Sequence, residues 1–213
     1  MTSSEPQAPG GPVLQLLAAG LQFWIRSQCE AVESLELQLH GSALQLLRGQ
    51  LEGVTLMARR VVYDGLQFEL VELRSDPLRV KLGRLVRAQS LTLDHPFGIR
   101  GRVAFTATGL THSLSKPRWR ELSDLLGEQL LGLGPLVELR IARDTLILAA
   151  RAMGENRLME LETRPVAVDG RVEIHAVDGE LRASLPMDPN IRITTANLEG
   201  GMLQLQGEAR VQP

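Results

Sequence analysis

Apolar residues recur at every second position over most of this chain. Leu35, Leu37 and Leu39 alternate with polar residues, and short groups with the same period follow. These groups are Val54 and Leu56; Leu66, Phe68 and Leu70; Leu78, Val80 and Leu82; Leu91 and Leu93; Phe97 and Ile99; and Val103 and Phe105. Because successive side chains of a strand point to opposite faces, the pattern predicts a ladder of antiparallel strands over residues 53–114, wet on one face. After Leu70 the alternation of apolar and polar positions shifts by one residue, which predicts a bulge or bend.

The N-terminal part of the chain has helical spacing instead. From Val13 to Leu35 an apolar stripe contains Leu14, Leu17, Leu21 and Trp24, which fall three or four residues apart. We interpret this segment as a helix packed on the core. The alternative is an amphipathic helix on a membrane surface, which usually carries several basic residues, whereas this segment has only Arg26.

A second helix is predicted over residues 115–131. Ser115 can cap it, Pro117 is tolerated in a first turn, and glycines with Pro135 end it after residue 131. Its apolar stripe consists of Trp119, Leu122, Leu125, Leu126 and Leu130. Strands resume after Pro135, with hairpin turns predicted at Asp169-Gly170 and Asp178-Gly179. The fold class predicted is therefore α+β, mostly antiparallel sheet, with an N-terminal helix and one longer helix.

Composition sets the domain organisation and the compartment. With 44% apolar and 23% charged residues, the chain can bury a core, and we expect a disordered tail over residues 1–12 and a single domain over 13–213. The apolar run of residues 13–25 is shorter than the roughly 20 residues that span a bilayer, and it lacks the pattern of a secretory signal. The lone Cys29 fits a reducing compartment. These features predict a cytoplasmic protein and leave peripheral membrane attachment open.

Positive charge is concentrated in the middle of the chain. Between Arg74 and Arg120 there are ten basic residues against two acidic ones, a local charge of +8 in a protein of net charge −2. Such a block attracts anionic surfaces, or it is simply a solvated strand face. Phospholipid head groups or an anionic membrane are favoured over nucleic acid, because single-strand binders interleave aromatic residues for base stacking, and only 3% of this chain is aromatic.

No arrangement of residues in the sequence indicates catalysis. The four histidines stand apart from each other and from Cys29, so no metal site is expected. The chain also lacks a phosphate-binding glycine loop and a nucleophile elbow. We therefore expect a protein that is not an enzyme and that uses no cofactor.

Three stretches, residues 61–68, 91–97 and 103–114, resemble the LmeA-like bacterial phospholipid-binding family. The resemblance implies a strongly curved antiparallel sheet wrapped on one long helix, an apolar groove, and phospholipid binding without catalysis. Where the family often begins its helix with an Asp-Leu-Asn-like sequence, this chain has Thr111-His112-Ser113, so no contact can be transferred there.

The resemblance and the charge block together select two sets of candidate site residues. The groove candidates, expected to face the acyl chains, are Leu122, Leu125, Leu126 and Leu130. The head-group candidates are Arg79, Lys81, Arg84 and Arg87. The alternative function is a non-enzymatic assembly factor or scaffold that holds an acidic protein partner on the same basic face.

Overall fold

A computed structural model describes residues 12–212, apart from residues 43, 46–47, 80–94 and 153–156. The three α-helices of the described residues are α1 (Pro12–Gln28), α2 (Ala107–Leu114) and α3 (Arg120–Leu131), and a 3-10 turn covers Pro117–Trp119. The strands are β1 (Ala31–His40), β2 (Gln50–Leu51), β3 (Gly53–Tyr63), β4 (Leu66–Ser75), β5 (Leu78–Arg79), β6 (Phe97–Thr106), β7 (Leu136–Ala142), β8 (Thr145–Arg151), β9 (Leu158–Val168), β10 (Arg171–Ala176), β11 (Arg182–Ser184), β12 (Ile191–Glu199) and β13 (Met202–Val211). Apart from Pro12, the predicted tail lies outside the described residues.

The strands form two main sheets, and every pairing in them is antiparallel. The six-stranded sheet has the order β1-β3-β4-β6-β13-β12, and the five-stranded sheet has the order β11-β10-β9-β8-β7. Strands β2 and β5 make a separate two-stranded ribbon. The α+β class and the antiparallel pairing are confirmed. The structure does not show the expected single sheet wrapped on one long helix, because the strands divide between two sheets and the helices are short.

The N-terminal helix ends earlier than its spacing predicts. α1 stops at Gln28, and Ala31 begins β1, so the helical pattern up to Leu35 was wrong in its last third. Leu35, Leu37 and Leu39 lie opposite Ala58, Leu56 and Val54 of β3. This ladder begins at Ala31 and overrides the helical spacing predicted up to Leu35, because Leu35 belongs to the alternating leucines that fit a half-buried strand.

The second helix is also divided. Residues 115–119, predicted as helix, contain a turn and the 3-10 segment, and α3 begins only at Arg120. The residue before a proline avoids the α conformation, and Lys116 before Pro117 is extended, with ψ of 145°. The predicted end is confirmed: Gly132 closes α3 with φ of 68°. α2 was predicted as strand, and it is started by the Thr106 hydroxyl, which accepts a hydrogen bond from Gly109 N at 3.0 Å.

One of the two predicted hairpins is tight. Asp169 and Gly170 join β9 to β10 with φ of 49° and 83°, as a two-residue turn requires. Asp178-Gly179 lies in a longer connection, because β10 ends at Ala176 and β11 begins at Arg182. The main core lies between these strands, α2 and α3. Its buried members include Leu114, Leu126, Leu130, Leu136, Leu139, Leu146, Leu148, Val172 and Ile174.

Buried hydroxyl groups attach the helices to the strands. Ser113 of α2 donates to Gly109 O and accepts from Gln67 N of β4 at 2.9 Å. Thr111 of the same helix accepts from Leu139 N of β7 at 2.9 Å. Because β4 and β7 belong to different sheets, α2 is bonded to both. Ser123 of α3 accepts from Leu136 N at 3.1 Å and donates to Leu136 O.

Replacing Ser123 by Ala should lower the free energy of unfolding by about 1–3 kcal/mol. The change leaves the backbone N–H and C=O of Leu136 without their hydroxyl partner inside the core, and an unsatisfied buried group costs that amount. Urea denaturation measures the difference. Ser115→Ala is the matched control, because the Ser115 hydroxyl is exposed and bonds only His112 O; equal losses for both variants would contradict the structural role of Ser123.

Candidate lipid-binding site

One face of the six-stranded sheet, termed here the inner face, is apolar across all six strands. Residues directly opposite each other in antiparallel strands share a face, so the strand register defines rows. One row consists of Leu37, Leu56, Leu73, Gly101, Gly207 and Ile193. The next row consists of Leu35, Ala58, Val71, Val103, Leu205 and Ala196. Two continuous apolar rows therefore cross the sheet.

A pair of glycines lets neighbouring strands of the sheet approach closely. Gly101 and Gly207 lie opposite each other in β6 and β13. A Cβ atom at Gly101 would collide with the Leu73 side chain and the Glu72 carbonyl oxygen, and one at Gly207 would collide with the Arg192 carbonyl oxygen. Glycine inside a strand marks such close approaches of neighbouring backbones. The spacing of these strands therefore depends on the missing side chains at this pair.

The two ends of the inner face are covered by different elements. At the β1 end, Ile25 and Cys29 at the C-terminal end of α1 pack with Leu35, Ala58 and Val61. At the β12 end, Ile193 belongs to the main core, and Ala196, Leu198 and Leu205 pack against it. Between these ends Leu73 and Val103 are half-buried. This central strip is the apolar surface that the geometry offers to an acyl chain.

The groove candidates lie elsewhere, on α3 beside the five-stranded sheet. Leu126 and Leu130 are buried, with 5% and 3% of their surface exposed, and they belong to the main core. Leu122 and Leu125 are half-buried against the same core. Packing with neighbouring side chains explains all four positions, and their contact with lipid stays a prediction. The inner-face residues Leu73 and Val103 were seen in the sequence only as strand residues, because their alignment depends on strand pairing.

Of the head-group candidates, the structure describes only Arg79. It is exposed in β5, opposite Gln50 of β2. Beside it lies a cavity of about 310 Å³, lined by Gln45, Gln50, Leu51, Glu52, Pro77, Leu78 and Arg79. Leu51 also packs with Leu14 of α1, so this exposed cation adjoins the N-terminal end of that helix. Lys81, Arg84 and Arg87 lie outside the described residues.

The described part of the basic block does not form one patch. Lys116 and Arg118 lie at the β3–β4 turn, where Arg118 Nε pairs with Asp64 Oδ1 at 2.6 Å. Arg74 lies at the other end of β4, which is about 30 Å away at 3.3 Å per residue. The positive charge seen in the sequence is thus divided between opposite ends of the strand.

The outer face of the six-stranded sheet carries the second basic group. Arg74, Arg100 and Arg102 project there beside two open cavities of about 750 and 690 Å³ that share Arg100 and Glu208. Arg100 pairs with Asp76 at 3.2 Å, and Arg102 pairs with Glu72 at 2.9 Å. Exposed pairs of this kind contribute little to stability. Asp76 is already counted in the formal +8, whereas Glu72 and Asp64 lie outside the block, so their pairs with Arg102 and Arg118 lower the local positive charge further.

Cys29 is placed for packing. Its thiol donates to Ile25 O at 3.4 Å, and burial raises the pKa of Cys29 above the ordinary thiol value, an effect that nearby Arg26 opposes. The thiolate is the reactive form of cysteine, and the raised pKa reduces the fraction of Cys29 in that form. Within the described ranges, no group of three or more His, Cys, Asp or Glu side chains is arranged to hold a metal ion.

The family model of the LmeA-like phospholipid-binding proteins matches residues 10–208 of the 213 in this chain. The match runs from before α1 into β13, and the chain belongs to this family. The resemblance carried by the three stretches is thereby confirmed. No curated protein and no solved structure matches the sequence. Among the residues that the structure describes, no helix combines the length and the hydropathy needed to cross a bilayer.

Proposed function

We propose that this protein binds a phospholipid without catalysing a reaction on it, with the acyl chains against the inner face of the six-stranded sheet. The head-group candidates Arg79, Lys81, Arg84 and Arg87 would face the anionic head group or the membrane. The protein would act at a membrane surface as a peripheral protein. We place it in the cytoplasm, an assignment that the lone Cys29 supports.

The proposal rests on the two apolar rows of the inner face, in a chain that belongs to a phospholipid-binding family. Leu73 and Val103 stay half-buried on the inner face, between α1 and the main core. Covering apolar surface releases about 25 cal/mol per Å², so an acyl chain lying along this strip would gain several kcal/mol.

Mass spectrometry of the intact protein tests the proposal directly. We expect phospholipid to co-purify at about one molecule per chain, or to be taken up from vesicles. Leu73→Glu should remove the bound lipid, because the carboxylate would have to be buried against the acyl chain. Met57→Glu is the matched control, since Met57 is exposed on the outer face of the adjacent strand.

Circular dichroism must show that both variants are folded. If both variants lose the bound lipid, or if both keep it, the placement of the acyl chains on the inner face is contradicted. A parent protein that neither carries phospholipid nor takes it up would overturn the proposal. That result would favour the scaffold alternative, for which a pull-down with acidic protein partners is the next measurement.

A further inference from the structure

Two opposite faces of α1 are apolar, and only one of them is covered. Leu14 is buried with Leu51, and Ile25 packs with the inner face of the six-stranded sheet. At 100° per residue these two positions lie about 160–180° around the helix from Leu16. Leu16, Phe23 and Trp24 face outward, with 75%, 75% and 57% of their surfaces exposed.

The outward face of α1, defined by Leu16, Phe23 and Trp24, is unusual for a surface helix. Ala19 and Gly20 lie between Leu16 and Phe23, and Arg26 is the sole charged residue in the whole helix. The chain has only seven aromatic residues, and two of them, Phe23 and Trp24, are exposed to solvent on this one helix. A contiguous exposed apolar face of this kind marks an interaction surface.

We propose that this outward face inserts into the interfacial layer of a phospholipid bilayer, and this inference rests on the proposed function. Tryptophan is favoured at the depth of the head groups, because its ring is apolar and its N–H can reach water, and leucine and phenylalanine are typical of the apolar face of interfacial helices. A protein that takes phospholipid from a membrane must reach that layer. The same helix covers one end of the inner face, so α1 separates its outward face from the central strip.

The charges around α1 suit an anionic membrane. Arg26 is exposed at its C-terminal end, and Arg79 is exposed beside the Leu14–Leu51 cluster at its N-terminal end. The neighbouring carboxylates are engaged within the protein. Their partners are Gly65 N for Glu30, Arg60 for Glu33 and the Gln45 amide for Glu52. Cations at both ends of an apolar helix face add electrostatic attraction to its insertion.

Tryptophan fluorescence with brominated vesicles tests the insertion. The vesicles contain phosphatidylcholine and phosphatidylglycerol with bromine on the acyl chains, which quench an indole ring at that depth. We expect quenching of the parent protein and its loss in Trp24→Phe, which leaves Trp119 as the only tryptophan. The triple variant Leu16→Ser, Phe23→Ser and Trp24→Ser should bind the same vesicles about 100-fold more weakly or worse.

A matched triple variant controls for lost surface hydrophobicity. Val137, Met159 and Leu181 are also exposed, and serine at these three positions should leave vesicle binding unchanged. Equal weakening by both triple variants would overturn the inference. So would an unquenched Trp24 in vesicle-bound protein, or a dimer that the α1 variant alone dissociates, because a second copy would then cover the face.

Loading with monomeric lipid separates this inference from the proposed function. Dihexanoyl phosphatidylglycerol is offered below its micelle concentration, and bound lipid is detected by mass spectrometry of the intact protein. The α1 triple variant should load this lipid as the parent does while failing on vesicles. If both proteins load the monomeric lipid normally and also bind vesicles equally, the insertion of the outward face of α1 is refuted and the proposed function is not. No loading in either protein would refute the proposed function.

Discussion

A variant with all four head-group candidates reversed to glutamate is expected to bind anionic vesicles about a thousandfold more weakly than the parent. Each basic group near an anionic membrane contributes about 1 kcal/mol, so losing four removes about 4 kcal/mol before any repulsion is counted. Vesicle flotation at low salt measures the change. The parent should also lose binding as salt rises, because the attraction is screened within a Debye length.

The control for this variant must carry the same net charge. Reversing four exposed arginines to glutamate elsewhere changes the net charge from −2 to −10, as the head-group reversal does. Suitable positions are Arg151, Arg157, Arg164 and Arg171, all exposed in the C-terminal half. If this control weakens binding as strongly, total charge rather than the head-group candidates governs binding. A parent that ignores anionic vesicles and binds single-stranded nucleic acid would restore the alternative that the sequence disfavoured.

Valine at Gly101 is expected to lower the free energy of unfolding by about 3 kcal/mol. Its Cβ atom would collide with the carbonyl oxygen of Glu72 and the side chain of Leu73, and forcing extra carbon atoms into such a place costs about 1–3 kcal/mol or more. Thermal and urea denaturation both report the loss. Lipid uptake should fall as well, because the added side chain would displace Leu73, a residue of the central strip.

Gly20→Ala is the opposite control for the glycine prediction. Gly20 lies inside α1, and a Cβ atom there would meet no other atom within 4 Å. Alanine in a helix interior is more stable than glycine by about 0.5–1 kcal/mol. The two variants should therefore change stability in opposite directions. If Gly101→Val leaves the unfolding midpoint unchanged, the close approach of the strands at this pair does not depend on the missing side chain.

The strands were predictable because their signal is local. Leu35, Leu37 and Leu39 alternate within one strand, and Asp169-Gly170 is a turn whose backbone preference is intrinsic to its two residues. In both cases a few neighbouring residues contain the information. The bulge or bend predicted after Leu70 brings no shift of register, because β3 and β4 keep one register from Thr55 and Arg74 to Tyr63 and Leu66.

The helices were harder because their limits depend on distant partners. Nothing within residues 107–114 distinguishes α2 from a strand end, and its hydroxyls find their partners at Gln67 and Leu139, far away in sequence. α1 presented a different difficulty. Its apolar residues surround the helix, and only packing on β1 shows that Trp24 lies outside the buried stripe.

The candidate site could not be predicted for a related reason. Leu73 and Val103 are 30 positions apart in the sequence, and they come together on the inner face through the pairing of β4 with β6. The leucines of α3 were predicted as groove residues because their helical spacing places them on one face of a helix. A one-residue change of register would move a strand's side chains to the other face, so the rows exist only once the pairing is known.

The bonds from α2 to both sheets link the unfolding of one half of the molecule to that of the other. Ser113 and Thr111 hold Gln67 and Leu139 through their hydroxyl groups, so neither sheet can open without breaking contacts of the helix they share. Local opening in proteins follows such cooperative units. Amide protons of the five-stranded sheet should therefore exchange more slowly when a ligand occupies the six-stranded one, since binding to the native state is shared by every element that unfolds with it.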